Sequence, residues 1–206
     1  MNFTETLLFG GAITSDLPAN WKDISDVRPI PNNQECFQDS LVSDKPIMLI
    51  VEILERQGHI KDEDAASFFF NELAEQNDAL QTQNDIRFQT FHEHAQCTAL
   101  LEDDSIAAGK NTVCLCAGSG YQKVALGRDY DNASVSRRTQ QEIKCIRVDL
   151  YLFRLKVQDT DLVISISTPV DDALLNEMPL EASSASGIIL NQVVSTFRIR
   201  NWDLFG

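Results

Sequence analysis

Two strand-like runs joined by a three-residue turn constrain this chain more than any other feature. Ile143 to Val157 is rich in β-branched and aromatic residues, and after Gln158-Asp-Thr160 the residues Leu162, Ile164 and Ile166 alternate with Val163, Ser165 and Ser167. Alternation with period two places one apolar row on one face of a sheet, and long strands joined by a short turn pair antiparallel. A sheet with an apolar face needs a covering layer, and two segments have the pattern to supply it. Asp62 to Gln76 opens on acidic residues and repeats Ala65/Ala66, Phe69/Phe70 and Leu73 at helical spacing, with Phe68 widening the stripe. Ser186 to Arg198 turns Ile189/Leu190, Val193/Val194 and Phe197 to one side.

The rest of the chain fits the same plan. Leu7-Leu-Phe-Gly-Gly-Ala-Ile13 reads as a tight hairpin, and Gln34–Gln38 and Ile47–Leu54 read as strands, the second buried on both faces. Ile86–Leu100 and Thr112–Leu126 are extended, the latter interrupted by a bend or bulge at Gly118-Ser-Gly120. Gly127–Gln141 and Val170–Ser186 are polar loops. The expected architecture is one α+β domain over residues 1–206, with a central, mainly antiparallel sheet of about six strands flanked by helices. Phe69, Leu73, Val193 and Phe197 are expected to be buried in it.

Charge narrows the partners. Residues 1–104 carry 20 Asp and Glu against 6 Lys and Arg, whereas residues 105–206 carry 11 of each, so the first half holds all of the net charge of −14. Such a surface repels nucleic-acid backbones and anionic membranes and attracts a basic protein. No apolar stretch approaches the roughly 20 residues of a membrane span. Five cysteines, Cys36, Cys97, Cys114, Cys116 and Cys145, lack the even count and spacing of a disulfide framework and are expected to be reduced thiols.

Few residues in the chain have the spacing that chemistry needs. His92 and His94 share one strand face, as do Cys114 and Cys116, and two such pairs could make a tetrahedral zinc site, although the spacing is not the Cys-x-x-Cys of structural zinc modules. Ordinary strand residues are the expectation, with no metal bound. Cys97 or Cys114 has His92 or His59 as a conceivable base, but no nucleophile elbow or oxyanion loop accompanies them. Gly118-Ser-Gly-Tyr121 is too short to cradle phosphate. The chain is read as a binding protein rather than an enzyme, without a cofactor.

The segment Asp23-Ile-Ser-Asp-Val-Arg-Pro-Ile-Pro-Asn-Asn-Gln-Glu-Cys-Phe37 is the best candidate surface. Pro29 and Pro31 fix their own φ and keep Arg28 and Ile30 extended, so polar side chains are displayed on a stiff backbone. Glu52 and Glu55 punctuate the apolar run Ile47–Leu54. Three residues apart on a strand, they point to opposite sides, and because an unpaired buried carboxylate is costly both are expected to reach solvent.

These segments, together with Leu7–Ile13, Asp159-Thr-Asp161 and the terminal Ser195-Thr-Phe-Arg-Ile-Arg-Asn-Trp-Asp-Leu-Phe205, resemble in order and spacing the Ran guanine-nucleotide release factor family, the Mog-type proteins. The resemblance implies a fold shared with the PsbP photosynthetic proteins. It implies that the small GTPase Ran is the partner, together with other Ran-binding proteins, that the activity is release of guanine nucleotide in nucleocytoplasmic transport, and that the protein is found in nucleus and cytoplasm. It also implies a Ran-binding surface of Asp26, Arg28, Pro31, Gln34, Glu35, Glu52 and Glu55, with Asn32 standing where relatives often carry Asp. Two other readings are a PsbP-like accessory protein, which needs a transit peptide ahead of residue 1, and a small-molecule-binding or hydrolytic domain, which needs a deep pocket with convergent polar groups.

Overall fold

A computed structural model describes residues 1–25, 30–39, 46–79, 87–91, 113–126, 142–170 and 185–206. The long hairpin is its centre. β8 (Glu142–Leu155) and β9 (Thr160–Val170) pair antiparallel from Leu155↔Thr160 to Cys145↔Val170. On one side β9 pairs with β5 (Met48–Glu55), which pairs with β4 (Gln34–Gln38) and then β3 (Lys22–Asp23). On the other side β8 pairs with β7 (Val113–Leu126) and then β6 (Arg87–Phe91). Every pairing in this seven-stranded sheet is antiparallel.

The first hairpin does not join it. β1 (Phe3–Leu8) and β2 (Ile13–Pro18) form a second, three-stranded sheet with β10 (Arg198–Ile199), through Arg198↔Thr14 and Ile199↔Ile13. The central sheet, with seven strands among the described residues, matches the expected six or so, and the small sheet is additional to it. The final helix is shorter than its apolar pattern suggests. It runs over Ala185–Thr196, here α2, because the chain leaves it to pair with β2.

Each face of the large sheet has its own core. Leu162, Ile164 and Ile166 of β9, with Leu49 and Val51 of β5 and Phe153 and Leu155 of β8, pack against Ile189, Leu190, Val193 and Phe197 and against Leu8, Ile13 and Leu17 of the hairpin. Phe197 is fully buried and stacks on Phe153, ring centroids 5.1 Å apart. On the opposite face Ala65, Ala66, Phe69 and Phe70 of α1 (Asp62–Gln76) cover Cys116, Val148, Leu150, Leu152 and Val163. Leu73, expected to be buried, lies at the edge of this layer and is half-buried.

The expected break at Gly118-Ser-Gly120 is absent. The β7–β8 register runs unbroken from Val113↔Leu155 to Leu126↔Glu142. Ser119, between the two glycines, is satisfied within the sheet, where its hydroxyl donates to buried Asp149 directly opposite on β8. Asp149 also takes two contacts from Nε of Arg147 at 2.8 and 3.0 Å and one from the hydroxyl of Ser186, at the start of α2, at 2.6 Å. A buried carboxylate thus ties the helix to the sheet.

Candidate functional site

The proline segment enters β4 through a turn in which the Gln34 amide donates to the Pro31 carbonyl at 3.0 Å. Asn33 then continues the ladder beyond the strand. Its carbonyl accepts from the Ile53 amide at 2.9 Å and its side-chain amide donates to the Ile53 carbonyl at 3.0 Å. Residues 31–35 and 52–55 are thereby fixed at one end of the sheet.

From there the predicted residues separate by face. Gln34 stands opposite Glu52, and its side-chain amide donates to the Glu52 carboxylate. Glu52 is only 9% exposed. The expectation that it reaches solvent is corrected: the amide across the strand satisfies the carboxylate, and a partnered polar group tolerates burial that an unpaired one does not. Glu55, on the opposite face at the strand end, is exposed as expected. Pro31 is exposed at the turn. Asp26 and Arg28 lie outside the described residues.

Glu35 faces the other way from Gln34, beside Val51, and reaches the first hairpin, where its Oε1 accepts the backbone amide of Phe9 at 2.7 Å. Partial burial lifts its pKa above the ordinary glutamate value; the Phe9 amide opposes that rise and the charge of Asp23 adds to it. Asp23 is itself held by the amide of Ser25 at 2.8 Å. These two carboxylates and the apolar side chains of Phe9, Ile30, Pro31 and Leu204 line an open cavity of about 670 Å³. Carboxylates set among apolar walls suit a cationic or hydrogen-bond-donating group with a hydrocarbon stem.

Sequence reasoning missed what supports Glu55. The chain leaving β5 is clamped by Arg154, which is fully buried. Its Nε donates to Asp161 at 3.0 Å, one terminal nitrogen to the Ile60 carbonyl and Asp62, and the other to the Gln57 carbonyl at 2.7 Å. Asp161 in turn accepts the Gln57 amide at 3.0 Å. An Arg near the end of one strand and an Asp seven residues on, straddling a hairpin turn, was the available signal, because that spacing sets them opposite one another.

Of the residues weighed as ligands or nucleophiles, Cys116 and His59 have described side chains. The buried Cys116 thiol donates to the Asp62 carbonyl at 3.0 Å, and His59 packs edge-on against Phe68. His92, His94 and Cys97 lie outside the described residues. Among the described residues no three His, Cys, Asp or Glu side chains are grouped closely enough to hold a metal ion.

Comparison with known proteins bears on the family and the fold. The family model described as Ran-interacting Mog1 protein matches residues 6–169. The Ran guanine nucleotide release factor of Homo sapiens is 27% identical over 201 residues, 97% of this chain and 95% of that protein. The nuclear import protein mog1 of Schizosaccharomyces pombe is 43% identical over 75 residues, 36% of this chain and 38% of its own length. The crystal structure of the Saccharomyces cerevisiae Ran-binding protein Mog1p superposes with a TM-score of 0.65 at 22% identity, covering both chains completely, so the fold is the same.

Proposed function

This chain belongs to the Ran-interacting Mog1 family, and from that premise we propose that it binds the small GTPase Ran and promotes release of its guanine nucleotide in support of nuclear import. It acts as a regulatory binding protein, present in nucleus and cytoplasm, and no bond is made or broken in that role. Its leverage is thermodynamic. A protein that binds nucleotide-poor Ran more tightly than loaded Ran by some factor lowers the nucleotide affinity of Ran by the same factor. A tenfold effect needs about 1.4 kcal/mol of differential contact, within reach of a few charge-assisted hydrogen bonds.

The observation that carries the reading is the carboxylate-lined cavity where the proline segment meets the first hairpin, on the acidic half of the chain. In this reading Glu35, Pro31 and Glu55 face Ran. Gln34 and Glu52 hold the backbone that displays them, and the sequence pattern adds Asp26 and Arg28 to the candidate residues. The test is release of labelled nucleotide from Ran by wild type, Glu55→Lys and, as a control with the same charge change, Glu72→Lys on the exposed face of α1. Glu55→Lys should lower the stimulated rate by about tenfold, the loss of about 1.4 kcal/mol of contact, with Glu72→Lys within about twofold of wild type. Equal loss in the two variants would place the surface elsewhere.

A further inference from the structure

The turn between β1 and β2 is the strained part of the molecule that touches this cavity. Phe9 has φ +50°, followed by Gly10 at +66° and Gly11 at +91°. The glycines adopt the left-handed region freely, but for an aromatic residue it is an outlier that persists only where the surroundings impose it. A contact from far along the chain reaches it, beside the packing of the Phe9 side chain against the core. The Phe9 amide points at Oε1 of Glu35, 26 residues away, in a charge-assisted bond of 2.7 Å. Oε2 of the same carboxylate makes no hydrogen bond to any described residue. Phe9 and Gly10 are themselves walls of the cavity.

We propose that Glu35 is a positioning residue whose carboxylate latches the Phe9–Gly10 turn in its left-handed conformation, and that the latched turn is part of the Ran-binding surface. The first hairpin would then be a functional element, and Glu35 would divide its two oxygens between the turn and the partner. The surface half of the proposal rests on the Ran-binding reading above, whereas the latch does not.

Three variants separate the roles. Glu35→Gln keeps an oxygen that can accept the Phe9 amide, Glu35→Ala removes it, and Gly10→Val leaves every carboxylate in place. A Cβ at Gly10 meets nothing within 4 Å, so the change strains the left-handed backbone without a clash at the Cβ, and adds methyl groups to the cavity wall. Hydrogen exchange at the Phe9 amide, followed by NMR, should quicken at least about tenfold in Glu35→Ala and stay within about threefold of wild type in Glu35→Gln. Nucleotide release from Ran should fall severalfold in Gly10→Val and further in Glu35→Ala than in Glu35→Gln, with thermal melts confirming that each variant is folded. Unchanged Phe9 exchange in Glu35→Ala overturns the latch. Full activity in a folded Gly10→Val removes the hairpin from the surface. Absence of Ran stimulation by wild type would instead defeat the binding reading and with it the surface assignment, and Phe9 exchange would still decide the latch.

Discussion

Glu52 is where a charge that looks like surface chemistry turns out to be internal. The residue is 9% exposed, opposite Gln34 on β4 and Val163 on β9, and its carboxylate takes the Gln34 amide as partner. A lysine there would set an ammonium against the donating face of the Gln34 amide, in a place with little water, with an acceptor available only if that amide turned its oxygen round. We expect Glu52→Lys to destabilise the fold by about 3 kcal/mol, Glu52→Gln by about 1 kcal/mol, and Glu55→Lys by less than about 0.5 kcal/mol. Urea denaturation midpoints check the order, and a Glu52→Lys protein as stable as Glu55→Lys would show that residue 52 is solvated after all. Loss of binding on reversing both glutamates would therefore mix unfolding with lost contact, which is why the binding test relies on Glu55. Alternation along Ile47–Leu54 correctly put the two glutamates on opposite faces. The depth of Glu52 was not legible, because it depends on which residue of β4 stands opposite, a matter of register that one strand's sequence does not carry.

Elements in this fold are joined by buried ions as much as by apolar packing, and α1 shows the consequence for pH. Its first residue, Asp62, accepts from Arg154 at 2.9 Å and from Lys156 at 2.7 Å, both from the β8 end of the central hairpin. Partial burial pushes the Asp62 carboxyl upward, but the hydrogen bond and charge of Lys156, with Arg154 and Arg56, outweigh it, and the pKa is lowered below the ordinary 3.8. A carboxylate whose pKa falls on folding contributes stability above its unfolded pKa and loses it as pH drops through the folded value. Asp62→Asn should therefore lower the melting temperature near pH 7, and the gap to wild type should close below about pH 4. Thermal melts across that range decide it, and a gap constant with pH would reduce Asp62 to an uncharged cap. The bounds of α1, Asp62–Gln76, were legible from acidic residues opening an apolar stripe. The network beneath it was not: Arg154 and Asp161 look like surface charges on strands until the hairpin sets them opposite each other and α1 covers them.

At the scale of the molecule, the two halves divide their tasks. The second half supplies the central hairpin, and two of its arginines, Arg147 and Arg154, are neutralised internally by Asp149 and Asp161. The field seen by an approaching partner is then set by the first half, with 20 acidic residues against 6 basic ones. The α+β class and the antiparallel sheet could be read from the period-two alternation. That the chain's ends close a separate small sheet, β1-β2-β10, could not, because Arg198–Ile199 contributes only two residues and carries no pattern of its own. That closure matters for the surface, since it brings Leu204 to the cavity shared by Phe9 and Glu35. A field spread over half the chain acts at long range and is screened by salt over a Debye length of about 10 Å at 0.1 M, whereas hydrogen bonds in a partly buried cavity are screened much less. Association with Ran should accordingly slow by about tenfold or more between roughly 0.02 and 0.5 M ionic strength, while dissociation changes by less than about threefold. Stopped-flow measurement of both rate constants tests this. If dissociation rather than association carried the salt dependence, the net charge would be serving close contacts, and the acidic half could no longer be treated as a steering field distinct from the cavity that Glu35 and Asp23 line.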